Sequence, residues 1–581
     1  MKKRVIPCFL AVVLTVVIVF STLVMSISAS VLTLREAVVD VALIELLENA
    51  KEYELIPVEI WTHKIDFDKV EEKVQEKIAA QKITRFVSNG ICENHQTLLA
   101  EVQECISLKR TLGSEMQTKA TKVVYSLIEL LLEEKSNARD VFISKYAPVI
   151  TMKLTAGEIV ALSNLPQVEM IYYIPEVQAE DFSMDGASAT GADVLRESLG
   201  LSGTGVKIGM IEKGVPDREQ SYFDGADITY DPDISWEQNI RTHANNVASI
   251  LVSQSSEYPG IVPDAELYCT IMGNSETYTW QRIEWLLDQG VQVINMSAGY
   301  VRPNSPYLTI DRLVDTIAID YSVHFVAAAG GNYYEPLSVV AHPACAYNVI
   351  AVGAADETLT APSHDSWYFD FATEANKPDI LAPGALVETA ATPTGCTGNS
   401  FAAPIVTGII AQLIEYAPNV AYWQNGMKAI LTAAINDDVL RYQTSSAMSD
   451  SAGAGLINAY AAYCTLRDGN YKVRSFPAME EAGSTKSYSF TVASTEDPIR
   501  VSLAWLKHKE EEDEVIDPLA DLTLMVYDPN GNLVANVIDP GGNLLITEFN
   551  PSVIGEYTIK VVLNTTAEKK CNFAVAWYFV Q

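Results

Sequence analysis

Four patterns of apolar and polar positions follow one another along the chain, and each points to a different kind of structure. Positions 5–25 are mostly apolar, behind Met1-Lys2-Lys3-Arg4 and ahead of the small residues Ser26, Ser28, Ala29 and Ser30. A basic start, an apolar core and a small-residue exit make a signal peptide. Since about 20 apolar residues also suffice to cross a bilayer, retention as a signal-anchor is the alternative. The next segment is charged and mixes two periods. Positions 56–62, 149–154 and 168–172 read as strands, whereas the stretch from Asp66 through Lys77 and beyond, and 155–162, follow the helical period. Thr155 is a ready N-cap. The result is a small α+β unit with a long helical insertion between its first two strands.

In the third pattern, short apolar strands are followed by helices rich in small residues. Val206-Lys207-Ile208-Gly209-Met210-Ile211 delivers Glu212 at the carboxyl end of a strand, where ligands and catalytic groups collect in open α/β sheets. The fourth begins after about Asp468. Positions 487–492, 499–505, 521–527, 555–562 and 573–577 are short alternating strands, with a turn at Asp528-Pro529-Asn530-Gly531, the signature of a β-sandwich.

The chemistry sits in the third pattern. Thr397-Gly398-Asn399-Ser400-Phe401-Ala402-Ala403-Pro404 puts a serine at the head of a small-residue helix, and Thr242-His243-Ala244-Asn245-Asn246 does the same for a histidine. A helix N-terminus turns positive potential toward such a hydroxyl and toward an oxyanion forming beside it. A serine hydroxyl becomes a nucleophile when an imidazole takes its proton, and the imidazole needs a carboxylate to fix its tautomer. Glu212, His243 and Ser400 supply these groups in the order carboxylate, histidine, serine. Taken alone, Ser400 is equally well a buried helix cap.

With that order the chain resembles the subtilisin-like serine proteases, the subtilases. The resemblance runs from about Gly191 to Leu466. Asn295-Met296-Ser297-Ala298-Gly299 looks like one edge of the family's first specificity pocket; Val326-Ala327-Ala328-Ala329-Gly330-Gly331-Asn332 looks like its opposite wall and the oxyanion asparagine. His342-Pro343-Ala344, positions 348–354, Lys377-Pro378-Asp379 with 380–384, and Gly455-Leu456-Ile457-Asn458-Ala459 are similar to scaffold segments. The resemblance implies an α/β fold in which a subtilisin-like parallel-sheet catalytic domain (187–468) follows a pro-region (31–186) containing a ferredoxin-like α+β pro-peptide. Residues 1–30 are then the signal segment and 469–581 the C-terminal β-sandwich. It implies a serine endopeptidase with catalytic residues Glu212, His243, Ser400 and Asn332, and substrate contacts at Ser297, Ala298, Gly299, Ala328 and Gly330. Its partners are polypeptide substrates and its own pro-region, as chaperone and inhibitor, with a processing site between Pro175 and about Gly186. Calcium is expected at most as a structural ion, with no residues assigned.

Three departures from the family pattern bear on activity. Glu212 stands where subtilases carry aspartate, with Asp217 as a nearby second carboxylate. Ala244-Asn245-Asn246 replaces the usual Gly-Thr-His after the histidine. The doubled glycine leaves Gly331 and Asn332 as competing occupants of the oxyanion position. A subtilase-fold pseudoprotease that binds peptides without cutting them is therefore the alternative function.

Composition narrows the partners. A formal net charge of −34 over 581 residues argues against nucleic acid and anionic membrane surfaces. Of eight cysteines, Cys8 lies in the signal and Cys92 and Cys105 in the pro-region. Cys269, Cys345, Cys396, Cys464 and Cys571 remain, an odd number, so at least one thiol stays unpaired. The protein is expected outside the cytoplasm, secreted or held at the membrane by its N-terminal segment.

Overall fold

The computed structural model describes residues 54–67, 69–74, 95–132, 140–174, 179–181, 190–301, 307–331, 340–363, 366–368, 377–435, 451–507, 521–539, 541–567 and 569–580, with scattered positions from 39 to 51. The expectations for the signal segment, for Asn332 and for most of the processing region fall outside these residues.

Two compact units divide the chain. The smaller comprises residues up to 65, 118–144 and 148–175. In it β1 (Ile56–Thr62) is followed by the C-terminal part of α1 (His95–Leu131), then β2 (Phe142–Ile143), β3 (Val149–Leu154), α2 (Ala156–Ser163) and β4 (Val168–Tyr173). The strands form an antiparallel sheet in the order β2-β3-β1-β4. Val58, Ile60, Ile150, Met152, Leu154 and Leu162 share its core. Thr155 starts α2 as expected: the Glu158 carboxylate accepts from the Thr155 N–H at 2.8 Å and from its hydroxyl at 2.9 Å, closing the first turn.

The larger unit comprises 66–117, 145–147 and 176–581. Its chain order is β5 (Ala179–Asp181), α3 (Ala192–Leu199), β6 (Lys207–Glu212), β7 (Asp227–Tyr230), α4 (Thr242–Val252), β8 (Glu266–Ile271) and α5 (Glu276–Gln289). There follow β9 (Val293–Met296), β10 (Ala298–Tyr300), α6 (Thr309–Tyr321), β11 (His324–Ala328), β12 (Ile350–Ala355) and β13 (Ile380–Pro383), then α7 (Asn399–Tyr416), α8 (Gln424–Ala433) and α9 (Ala459–Arg467). Seven strands make a wholly parallel sheet in the order β13-β12-β11-β9-β6-β8-β7. From β6 the chain first builds β7 and β8 on one side and then β9 onward on the other. That reversal opens a crevice at the carboxyl ends of β6 and β9. Helix α7, buried along nearly its whole length, lies across β9, β11, β12 and β13 and against α4.

Arg110 of α1 is buried, and its guanidinium donates to the carbonyls of Leu287 (3.3 Å), Val291 (2.6 Å) and Tyr321 (3.4 Å). Leu287 and Tyr321 lie in the last turns of α5 and α6, where helix dipoles favour a cation. Burial pushes the guanidinium pKa down to about 10.

Asp379 is wholly enclosed, with Lys377 and Lys428 each 2.9 Å from one of its oxygens and the Ala351 N–H at 2.8 Å. Burial alone would raise this carboxyl; the two ammonium groups outweigh it and hold the pKa below the ordinary value. Removing one partner of a buried ion cluster strands the others. Asp379→Asn is expected to lower stability by roughly 3–5 kcal/mol in urea unfolding.

The C-terminal region holds β14 (Tyr471–Phe476), β15 (Thr485–Val492), β16 (Ile499–Trp505), β17 (Leu522–Tyr527), β18 (Leu533–Ile538), β19 (Leu544–Phe549), β20 (Gly555–Leu563) and β21 (Cys571–Phe579). They form two antiparallel sheets, β14-β21-β16-β19 and β15-β20-β17-β18. Strand β16 is buried on both faces. Val501, Leu503 and Trp505 enter the sandwich core, so by the strand period Arg500, Ser502 and Ala504 face the other way. There Ser502 Oγ lies 2.7 Å from Thr432 Oγ1, and Arg500 donates to the carbonyls of Thr432 (3.1 Å) and Ala454 (2.5 Å). Ala504, Ile546, Ala574 and Ala576 join the same apolar cluster as α7 and α8. Lys507, two residues past β16, is buried, and its backbone N–H donates to Asn348 Oδ1 at 3.0 Å.

Candidate active site

Glu212 ends β6 at the crevice and is completely buried. Three residues on, the chain is stitched to the entry of α4: Val215 N–H donates to Asn239 O at 2.8 Å and Arg241 N–H to Val215 O at 3.2 Å. Gly214 permits this approach, since a Cβ there would lie 2.4 Å from Asn239 O. His243, in the first turn of α4, is thereby fixed relative to the strand. Its Nδ1 lies 3.0 Å from Glu212 Oε2, so the longer acid does reach the imidazole. The alternative carboxylate is engaged elsewhere: Asp217 accepts from Glu219 N–H at 3.1 Å and from Gln220 Nε2 at 2.6 Å, closing its own loop. The unusual residues after the histidine hold the surroundings. Asn245 Oδ1 accepts from Asp217 N–H and Asn246 Oδ1 from the Thr389 hydroxyl, each at 2.6 Å.

Ser400 is the second residue of α7 and is fully buried. Gly398, at φ 150° and ψ 161°, turns the chain into the helix. Pro404 has no N–H to return to the Ser400 carbonyl, which loosens the first turn. The His243 ring packs against the Phe401 ring, centroids 5.2 Å apart and tilted by 45°. That contact ties the imidazole to the residue following Ser400. Among the described residues, Ser400 Oγ, Asn399 Oδ1 and Glu212 Oε1 are buried without a hydrogen-bond partner. Such an atom costs about 1–3 kcal/mol, and two of the three lie at the head of α7, the third at the end of β6.

The expected walls lie on adjacent strands. Met296 of β9 pairs with Ala327 of β11, and from there β9 leads into Ser297 and β10, β11 into Ala328 and Gly330. Ser297 Oγ accepts from Asn295 Nδ2 at 2.8 Å. Tyr300 exchanges both backbone hydrogen bonds with His342, at 2.8 and 2.9 Å, and its hydroxyl sits 2.9 Å from Gly273 O. Gly330 adopts φ +93°. Its carbonyl accepts from Trp367 N–H at 2.8 Å and from Asn399 Nδ2. Asn399 and Trp367 had no role in the sequence reading; a polar residue directly before Ser400 in an otherwise apolar run was the signal for the first.

A short strand from the segment ahead of the larger sheet occupies the wall. In β5, Asp181, Glu180 and Ala179 pair antiparallel with Ala298, Gly299 and Tyr300 of β10, as an extended peptide adds to an open edge. Among the described residues, no group of three or more His, Cys, Asp and Glu side chains is arranged to hold a metal ion, and no calcium ligand is assigned. Cys269, Cys345, Cys396, Cys464 and Cys571 form no disulfide among themselves, and all but Cys464 are buried.

Comparison with known proteins matches residues 144–455, just over half of the chain, to the family model described as the subtilase family of peptidases. The alkaline protease of Alkalihalobacillus alcalophilus is 26% identical over 325 residues, covering 54% of this chain and 79% of its own. Serine protease AprX of Bacillus subtilis (strain 168) is 27% identical over 301 residues, covering 45% and 68%. Among solved structures, the prenylagaramide maturation protease PagA aligns with 25% identity and a TM-score of 0.38, over 47% of this chain and 98% of its own.

Proposed function

Because the chain belongs to the subtilase family and is a serine-type endopeptidase with a subtilisin-like fold, we propose that it is exported and cuts polypeptides through a Glu212-His243-Ser400 triad. We further propose that its own pro-region is both its first substrate and its inhibitor. The observation that carries this reading is the 3.0 Å contact between the enclosed Glu212 carboxylate and His243 Nδ1.

The steps follow from the groups present. Glu212 accepts a hydrogen bond from the Nδ1–H of His243, which keeps the ring proton on Nδ1 and leaves Nε2 with its lone pair as the base. Nε2 takes the Ser400 Oγ proton as Oγ bonds to the scissile carbonyl carbon, and the carbonyl oxygen becomes an oxyanion. The Ser400 N–H at the head of α7 is one donor to that oxyanion; Asn332, or Gly331 by its backbone, is the other. The C–N bond then breaks, the amine leaves with the proton held by His243, and an acyl-Ser400 ester remains. Water repeats the sequence: His243 takes its proton, the ester C–O bond breaks, and the proton returns to Oγ. Substrate lies extended along Ser297-Ala298-Gly299, with Ala328 and Gly330 on the facing wall. The pairing of β5 with β10 supports the pro-region as occupant of this groove before release. The basic, apolar and small-residue start of the chain supports export.

A fluorophosphonate tests the nucleophile directly. Labelling is expected at Ser400 and is lost in Ser400→Ala. A folded protein that takes no label yet binds peptides is a pseudoprotease.

A further inference from the structure

We infer that Asn399, the residue directly before Ser400, is a positioning residue that fixes the Gly330–Gly331 turn on the oxyanion side of the site. The inference rests on Ser400 being the nucleophile, and it gives a function to a side chain which that reading leaves without one.

The Asn399 side chain is 1% exposed, and its Nδ2 donates to the Gly330 carbonyl, the same oxygen that accepts from Trp367 N–H. A glycine pair is the most permissive backbone a chain can place beside a catalytic group. Two donors converging on one carbonyl remove that freedom. Stiffening by substitution is closed off at this position, because a Cβ on Gly330 would lie 2.7 Å from the Trp367 ring and 3.1 Å from Ala341 Cβ, at a φ of +93°. The remaining way to hold the turn is through its carbonyl.

Asn399 Oδ1 meanwhile has no partner among the described residues. A buried carboxamide with one end unsatisfied is a poor choice for stability alone. Its Nδ2 contact is therefore the reason to have it. Gly331, whose backbone is one candidate for oxyanion donor, directly follows the held carbonyl, and its N–H lies in the same peptide plane, so the direction of that carbonyl sets the direction of the N–H. Asn399 and Ser400 also share the first turn of α7, which makes the nucleophile and the opposite side of the oxyanion site move together.

Asn399→Asp keeps the shape and turns an acceptor toward Gly330 O. Misplacing a catalytic donor by about an ångström costs on the order of 100-fold. The expected result is a kcat lower by about that factor, with KM changed by less than roughly twofold. Affinity for a peptidyl boronic acid, which mimics the tetrahedral intermediate, should fall in parallel, while affinity for a product peptide is retained. A merely structural role would lower the melting temperature without separating these two ligands. If Asn399→Asp does not fold, Asn399→Ser carries the same measurements. Unchanged kcat and boronate affinity in a folded variant overturn the inference while leaving Ser400 as nucleophile. A wild-type protein that neither turns over nor labels at Ser400 overturns the nucleophile reading, and this inference with it.

Discussion

Glu212→Gln lowers turnover by on the order of 10⁴ and leaves the fold intact. The magnitude follows from the tautomer. A carboxylate facing Nδ1 only accepts, so the Nδ1 proton stays in place and Nε2 is a base. An amide can donate to Nδ1, which moves the ring proton to Nε2, and a protonated Nε2 cannot take the Ser400 proton. Glu212→Asp separates a tuned site from a decayed one. The strand carrying Glu212 is tied to the entry of α4 at Val215, Asn239 and Arg241, so shortening the acid by one methylene leaves a gap that the backbone does not close. A loss of about 100-fold is expected. Both variants are to be assayed as kcat on a chromogenic peptide, with circular dichroism as the folding control. Undiminished turnover in Glu212→Gln would move the orienting role to another carboxylate; increased turnover in Glu212→Asp would mark Glu212 as a departure from a better ancestor.

Ser400→Ala is expected to accumulate with the pro-region attached, shortened only by loss of the signal segment. The wild-type protein should accumulate with a new N-terminus between about residues 175 and 191. The geometry behind this is the seating of 179–181 antiparallel on β10, the strand that edges the groove. A chain paired there is held along the strand that the proposed substrate would follow. Intact mass and N-terminal sequencing read the outcome. Adding active enzyme to Ser400→Ala distinguishes cutting within one molecule from cutting between molecules. The same N-terminus in both proteins would assign the cut to another protease.

Much of this arrangement was legible in the sequence because its signals are local. Strand β6 ends at Glu212, α2 starts after Thr155, and β15 and β16 fall within two residues of their expected limits. Three sandwich strands were not legible, for different reasons. β19 is largely buried on both faces and so does not alternate. β18 is an edge strand that exposes Leu533, Val534 and Ile538, so apolar residues do not mark its inner face. β14 shows only one fully buried residue. At the site, residue types and their order announced the carboxylate, imidazole and hydroxyl. The hold on Gly330 was illegible because it joins Asn399 to residues 69 and 32 positions away, and no period or motif reports such a meeting.

The seam between α8 and β16 bears on how far the chain can be shortened. The carbonyls of Thr432 and Ala454 are satisfied by Arg500 of β16, and α8 packs against β16 and β21. Removing the sandwich strands would strip the apolar side of α8 and leave two buried carbonyls without this donor, at about 1–3 kcal/mol each. The C-terminal sheets are therefore expected to behave as part of the core beneath α8 rather than as a detachable appendage, and truncation ahead of β14 should give unfolded protein instead of a smaller folded one.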